Sequence, residues 1–221
     1  MLLPRPRSVA LALASLTITA AAGPALAQSP TATSEAPADT VEPQATSPYV
    51  AEPRACRRLT DFTTDDTGQW FVVNDGVMGG RSIGGGFIAE SVLRFEGDVV
   101  TAGGGFTSAR LQLEGDELVD STRIEMRGRP DGRTYGLTLE DAAQFRGRLV
   151  AHRADLDIGP IDAEGWATAV VEYDELVPSV FGVLVDAPAF EPATARELGI
   201  IIADGIDGEF VIDIDWNDAC H

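Results

Sequence analysis

Apolar and polar residues alternate along most of the chain after residue 90, and glycine-rich turns separate the alternating stretches. Alternation with period two places successive side chains on opposite faces of a β-strand. Residues 210–216 show the pattern cleanly, because Ile212 and Ile214 share one face while Asp213 and Asp215 share the other, solvent-facing one. The pattern therefore predicts an all-β domain in which most strands bury one face.

About eight short strands are predicted in this way, joined by glycine-rich loops. Residues 198–203 are apolar on both faces, which is typical of a central strand that is covered on both sides. Residues 145–150 are more polar and indicate an edge strand. Only residues 186–198 suggest a short helical turn. Short strands of this kind predict a two-sheet β-sandwich, with a jelly roll as its topology.

The chain begins with the pattern of an export signal. Arg5 and Arg7 precede an uncharged, largely apolar stretch, and Ala25 and Ala27 supply the small residues of a cleavage site. The apolar stretch is shorter than the roughly 20 residues that a membrane-spanning helix needs. Residues 1–27 are thus predicted to be a signal peptide, with an uncleaved anchor as the alternative. The domain is then periplasmic or extracellular, without a membrane span in the mature chain.

The next segment, residues 28–54, is composed mainly of Pro, Ala, Thr, Ser and Glu. Such a composition buries too little apolar surface to offset the entropy of ordering, so a disordered tether is predicted. The remaining residues, 55–221, are predicted to form one domain with a single core.

The charge of the protein excludes several classes of partner. The formal net charge is −19, and removal of the two arginines in the signal peptide makes it more negative still. Such a field repels phosphate backbones and anionic headgroups, so neither nucleic acid nor a membrane surface is a predicted partner.

Two cysteines, Cys56 and Cys220, lie near the two ends of the predicted domain. Paired cysteines in an exported chain are usually bonded, so a disulfide is predicted here, with two free thiols as the alternative. The bridge requires the first and last strands of the domain to be neighbours.

The most distinctive motif spans residues 70–82, with the sequence WFVVNDGVMGGRS. Asn, Asp and Gly tolerate positive φ, so the chain can turn tightly there. A phosphate-binding loop is excluded because no Lys follows, no helix begins and the net charge is wrong. One interpretation is a buried loop that ties two strands together. The other is a recognition surface, whose predicted binding residues on this loop are Asn74, Asp75, Met78, Arg81 and Ser82.

This motif resembles the opening signature of the complex I intermediate-associated protein 30 family. Later stretches are similar to further blocks of that family: residues 95–110 with their Gly-Gly-Phe, residues 131–135, residues 166–182 and residues 198–210. The resemblance implies a galactose-binding-like jelly roll. It also implies a role as an assembly factor or chaperone for respiratory complex I, without catalytic residues.

Other candidate chemistry is sparse. Arg110 and Arg133 are predicted binding residues, with an ion pair to a carboxylate as the alternative for each. His152 is predicted to lie on the surface, and two histidines are too few to build a zinc site. Two groups offer oxygens that suit Ca²⁺, namely Asp213 with Asp215 and the predicted turn at residues 204–208, but the spacing of a known calcium loop is lacking. No metal or other cofactor, and no catalytic residue, is predicted.

The sequence therefore favours a non-catalytic, exported binding module that engages a protein partner in the cell envelope. The resemblance makes a respiratory-complex subunit or assembly intermediate one candidate for that partner. The alternative is a carbohydrate-binding module, since galactose-binding-like folds often hold sugars with exposed aromatic residues. Trp70 and Trp166 are the candidates for that role, and both are expected to be buried.

Overall fold

The computed structural model describes residues 55–63 and 70–221, so the predicted signal peptide and tether lie outside the described residues. The described part consists of strands and short 3₁₀ turns, and it contains no helix long and apolar enough to cross a membrane. Its strands in chain order are β1 (Cys56–Thr60), β2 (Trp70–Asn74), β3 (Ile83–Ala89), β4 (Val92–Val99), β5 (Thr107–Gln112), β6 (Arg123–Pro130), β7 (Tyr135–Phe145), β8 (Arg148–Asp155), β9 (Asp157–Ile158), β10 (Ala167–Glu172), β11 (Val177–Val180), β12 (Val183–Leu184), β13 (Glu197–Ile202) and β14 (Gly208–Cys220). The 3₁₀ turns are Asp75–Met78, Tyr173–Glu175 and Pro192–Thr194.

The described strands form two seven-stranded antiparallel sheets. The first, sheet A, has the order β3-β4-β14-β6-β10-β9, with β1 also paired to β14. The second, sheet B, has the order β12-β11-β8-β7-β13-β5-β2. The all-β jelly-roll sandwich predicted from the alternating pattern is confirmed.

The core lies between the two sheets and is built from their inward-facing alternate residues. Strand β13, at the centre of sheet B, contributes Leu198 and Ile200, both without solvent exposure. Strand β14 of sheet A contributes Phe210, whose ring meets that of Phe95 edge-on at 4.9 Å between centroids. Burial of such side chains contributes about 1.5–3 kcal/mol each, which is the main force that holds the sheets together.

The disulfide between Cys56 and Cys220 is present, as predicted. Strand β1 pairs with the end of β14, and Cys56 lies directly opposite Cys220 in that pairing. The bond joins residues 164 positions apart and so closes nearly the whole domain into one loop. In the chain-entropy account, a loop of this size stabilises the fold by up to about 5 kcal/mol.

The prediction for residues 145–150 is wrong, and so is the surface position of His152. Residues 145–150 form the hairpin between β7 and β8, and β8 is not an edge strand because it lies between β7 and β11. His152 is fully buried because it pairs in register with Leu139 and therefore faces the core. There it lies 3.5 Å from the buried carboxylate of Asp141 and edge-on to Phe190.

The outer face of sheet A corrects two further expectations. Trp166 is only half-buried, and two guanidinium groups, those of Arg127 and Arg129, cover it at 5.1 and 4.9 Å from its ring. Asp213 is 4% exposed rather than open to solvent, because it accepts hydrogen bonds from Arg94 and Arg129. Its carboxylate is thus paired with two guanidinium groups on this face.

Candidate binding surface

The signature loop, residues 74–82, is organised around one buried carboxylate. Asp75 has no solvent exposure and accepts hydrogen bonds from the backbone N–H and the hydroxyl of Ser82, at 2.9 and 2.7 Å. It also accepts from the backbone N–H groups of Gly105 and Phe106, at 2.7 and 3.4 Å. A buried charge is tolerated when hydrogen bonds surround it in this way. Asp75 therefore joins the signature loop to the separate turn at residues 103–106.

Two glycines make room for this carboxylate. A Cβ atom on Gly80 or on Gly104 would overlap the Asp75 carboxyl group. Only glycine can bring the backbone this close. The Gly-Gly of the signature loop and the Gly-Gly-Phe of the later motif are thus two sides of one cradle around Asp75.

Asn74 makes a second internal connection beside the cradle. Its Oδ1 accepts hydrogen bonds from the backbone N–H of Gly84 at 2.9 Å and from the Thr107 hydroxyl at 2.5 Å. Because these groups belong to β3 and β5, Asn74 ties sheet A to sheet B at the end of β2. A side chain on Gly84 would overlap the Thr107 hydroxyl, which explains a glycine there.

The hydrogen bonds set the charge state of Asp75. Burial by itself would raise the pKa of this carboxyl group, but the donors on Gly105, Ser82 and Phe106 outweigh burial and lower it. Asp75 is therefore ionised at neutral pH and serves as a charged acceptor for the loop.

Asn74, Asp75 and Ser82 point inward, whereas the apolar side chains of the loop point outward. Val77 and Met78 are 76% and 49% exposed, and Ile83, just after the loop, is 68% exposed. Phe71 on β2 and Phe87 on β3 are also exposed. We name these five residues the loop-side surface. Arg81 is exposed beside them.

A groove runs between the two edges that carry this surface. Among the described strands, β2 is the last of sheet B and β3 the last of sheet A. The groove between them has a volume of about 440 Å³ and is lined by Trp70, Phe71, Phe87 and the apolar residues below them. Trp70 is half-buried rather than fully buried, which corrects the expectation for it.

The two remaining predicted binding residues lie away from the loop, and both form ion pairs. Arg133 binds both carboxylate oxygens of Asp204 at 2.9 and 2.7 Å, and it also donates to the carbonyl of Gly208 at 2.8 Å. The hydrogen bond from Arg133 lowers the pKa of Asp204. Arg110 pairs with Glu197 at 2.7 Å, on the outer face of sheet B. The ion-pair alternative is confirmed for both arginines.

The structure thus brings together five of the seven predicted residues, which are Asn74, Asp75, Met78, Arg81 and Ser82. Sequence reasoning missed Phe71, Val77, Ile83 and Phe87. Period-two alternation identifies the residues that share a face of a strand. It does not distinguish an apolar face that is buried in the core from one that is exposed to solvent. Val77 next to Met78 in a glycine-rich turn was the available signal, since apolar residues in a turn have no strand face to bury.

Comparison with solved structures defines the class of fold. The Family 11 carbohydrate-binding module of the cellulosomal cellulase Lic26A-Cel5E of Clostridium thermocellum superimposes with a TM-score of 0.53 at 10% identity, over 77% of this chain and 97% of that one. The same organism's Family 11 module in complex with a β-1,3-1,4-mixed-linked tetrasaccharide gives a TM-score of 0.51 at 10% identity, over 74% and 95%. The chain is therefore a jelly-roll sandwich of the kind found in carbohydrate-binding modules.

Family membership follows from the sequence match. Residues 60–214 match the profile of the complex I intermediate-associated protein 30 (CIA30) family, so the chain belongs to that family. The matched range contains both halves of the Asp75 cradle. No curated protein matches the chain in a sequence search.

Proposed function

We propose that this protein is an exported, non-catalytic binding module that engages a protein partner in the cell envelope through the loop-side surface. The observation that carries the proposal is the orientation of the signature loop. Asn74, Asp75 and Ser82 form hydrogen bonds inside the fold, while the apolar side chains of Val77, Met78 and Ile83 are exposed to solvent. Clustered exposed apolar side chains of this kind mark sites of protein interaction.

The internal hydrogen bonds support this role because they fix the loop before a partner arrives. A surface that is already ordered loses less conformational entropy on binding than a mobile one. The predicted binding residues then divide by position. Met78 and Arg81 contact the partner, whereas Asn74, Asp75 and Ser82 position the loop that carries them.

The family and the disulfide together suggest the nature of the partner. Membership of the CIA30 family favours a subunit or assembly intermediate of a respiratory complex, with this module acting as an assembly factor or chaperone. The Cys56–Cys220 bond favours an oxidising compartment, which agrees with the predicted export signal.

Site-specific photocrosslinking in the native host tests the proposal. A photoreactive amino acid placed at Met78 is expected to capture one protein that mass spectrometry identifies repeatedly. The same group at Ile161, which is 61% exposed on the loop between β9 and β10, serves as the matched control. Equal capture from both positions, or none from Met78, would contradict the proposal.

The groove between β2 and β3 favours a second candidate function, carbohydrate binding. Its lining of Trp70, Phe71 and Phe87 offers aromatic surface of the type on which sugar rings stack. A glycan array probed with the whole chain distinguishes the two functions. Specific glycan binding that is lost in Phe87→Ala, combined with no crosslinked protein from Met78, would favour the carbohydrate function.

A further inference from the structure

Two hairpins in the half of sheet B that ends at β12 share an unusual turn. The β7–β8 hairpin turns at Arg146 and Gly147, and the β11–β12 hairpin turns at Phe181 and Gly182. All four residues have positive φ, with 52° at both Arg146 and Phe181. Asn or Asp normally occupies the first of these turn positions, because large side chains are strained there. The sequence therefore keeps a large, exposed side chain at each tip in spite of a backbone cost.

The two tips touch each other and expose apolar surface. The guanidinium group of Arg148 lies over the Phe181 ring, 4.9 Å from its centroid. Phe181 and Leu184 are 61% and 72% exposed, and Leu149 is exposed beside them. We name Arg146, Arg148, Leu149, Phe181 and Leu184 the hairpin corner. A groove of about 500 Å³ adjoins it, with Val177, Gly182 and Leu184 in its lining. The same groove also carries the carboxylates of Asp155, Asp157 and Glu175, so the site for an acidic segment is confined to the corner itself.

The arginines of the hairpin corner differ from most others in this acidic protein. Eight arginines in the described residues lie within 4.0 Å of a carboxylate, namely Arg58, Arg94, Arg110, Arg123, Arg127, Arg129, Arg133 and Arg153. Arg146 and Arg148 form no ion pair with any described residue. Each instead stacks on a phenylalanine ring, that of Phe145 or that of Phe181. Cation–π contact holds both positive charges in place without neutralising them.

We propose that the hairpin corner is a second docking surface, which binds an acidic and apolar segment of a partner protein. Carboxylates of such a segment form bidentate pairs with Arg146 and Arg148, while its apolar side chains cover Leu149, Phe181 and Leu184. An anionic membrane would satisfy the two arginines but meets the repulsion of a chain with a net charge of −19. A short segment is attracted locally without bringing a large charged surface against the rest of the domain.

The hairpin corner lies far from the loop-side surface in the order of sheet B. Strand β12 and strand β2 lie at opposite ends of the order of sheet B. The hairpin corner and the loop-side surface can therefore be occupied at the same time. The module then acts as a bridge that holds two polypeptide segments on one rigid sandwich. The second surface rests on observations that are independent of the proposed function of the first.

Selection from a random peptide display library on the whole chain, purified with its disulfide, tests this inference. The selected peptides are expected to be rich in Asp, Glu and large apolar residues. Synthetic copies should bind the double variant Arg146→Gln/Arg148→Gln at least about tenfold more weakly than the parent chain. The matched control is Arg57→Gln/Arg196→Gln, which removes the same charge from exposed arginines elsewhere and should bind normally.

Three outcomes would overturn the inference. Failure to select acidic peptides would show that the surface does not recognise them. Equal loss of binding in both double variants would show that binding depends on the net charge of the chain and not on the hairpin corner. Binding of the chain to phosphatidylglycerol vesicles, lost in Arg146→Gln/Arg148→Gln while no peptide binds, would assign the corner to a lipid surface. Retained binding in Met78→Asp is expected, and it separates this test from that of the loop-side surface.

Discussion

The signature loop and the hairpin corner differ in where their charged groups point: Asp75 points into the fold, whereas Arg146 and Arg148 point into solvent. In the loop, the carboxylate of Asp75 and the amide oxygen of Asn74 are turned inward and hydrogen-bonded, and the apolar side chains are left in solvent. In the corner, the guanidinium groups of Arg146 and Arg148 are turned outward, and neither forms an ion pair with a carboxylate of the described residues. The loop crosses from sheet B to sheet A, whereas the corner consists of two hairpins within sheet B. The loop uses the charge of Asp75 inside the fold, and the corner leaves the charges of its arginines exposed.

The difference shows how a family signature should be interpreted. Within the motif at residues 74–82, the geometry around one buried carboxylate explains Asp75, Ser82 and Gly80. The hairpin corner has no part in that geometry, so its arginines and strained turns need another explanation. A distinctive motif can thus report folding through its buried residues, while only its exposed residues are available to a partner.

Substitution of Asp75 by Ala should have the largest effect on the loop. It leaves the buried donors on Ser82, Gly105 and Phe106 without a hydrogen-bond acceptor. Hydrogen bonds to a charged group contribute about 1.5–3 kcal/mol each. Because these effects are not additive, we expect a loss of about 4 kcal/mol in the free energy of unfolding, measured by urea denaturation. Arg148→Ala is the contrasting variant in the corner and should change stability little. A loss below about 1 kcal/mol for Asp75→Ala would mean that the carboxylate does not organise the loop.

Substitution of Gly104 by Ala should destabilise the fold by about 3 kcal/mol, since overpacking of this kind forces the backbone to move. The added methyl group would overlap the Asp75 carboxyl group. Gly76→Ala is the matched control in the signature loop, because a Cβ there meets no described atom within 4 Å. Denaturant midpoints that shift equally for the two variants would contradict the cradle.

Acidification should weaken the loop through Asp75. Its pKa is lower in the folded state than the value of about 3.9 expected for the unfolded chain. The stabilisation is therefore complete above about pH 4 and is lost as the pH falls through the folded-state pKa. The variant Asp75→Asn should show a shallower fall in melting temperature between pH 5 and pH 2 than the parent. An unchanged slope would show that Asp204 and Asp213, whose pKa values are also lowered, dominate the acid response.

Substitution of Met78 by Asp should change stability by less than about 0.5 kcal/mol, because the side chain is half-exposed on the surface. Recovery of the crosslinked partner, probed from a second photoreactive group at Ile83, should fall at least about tenfold. A variant that folds normally and still captures its partner in full would remove Met78 from the contact surface.

The double variant Arg146→Gln/Arg148→Gln should have the smallest effect on stability, within about 0.5 kcal/mol of the parent chain. Neither guanidinium group pairs with a described carboxylate, so the fold loses only two cation–π contacts. Thermal unfolding followed by circular dichroism measures this directly. A large loss of stability would show that these arginines stabilise the fold, as Asp75 is expected to do in the signature loop.

Much of the architecture could be predicted from the sequence, because alternation with period two is a local property. It identified the strands around Ile200 and Ile212, and the predicted export signal together with two cysteines predicted the bond between the first and last strands. The position of His152 could not be predicted in the same way. Its burial depends on pairing with Leu139 and Pro178, which are distant in sequence. The inward orientation of Asp75 likewise depends on donors about 30 residues away, at Gly105 and Phe106.

The sequence by itself determined that this chain forms a β-sandwich of the CIA30 family with a bonded pair of cysteines, since local periodicity and short motifs carry that information. Only the tertiary structure decided which face of each motif is covered. The register between strands brings Gly104 against Asp75 and Arg148 against Phe181, and no local pattern encodes those distances. Pairing between distant strands therefore turned Asn74, Asp75 and Ser82 inward and left the two surfaces proposed for binding in solvent.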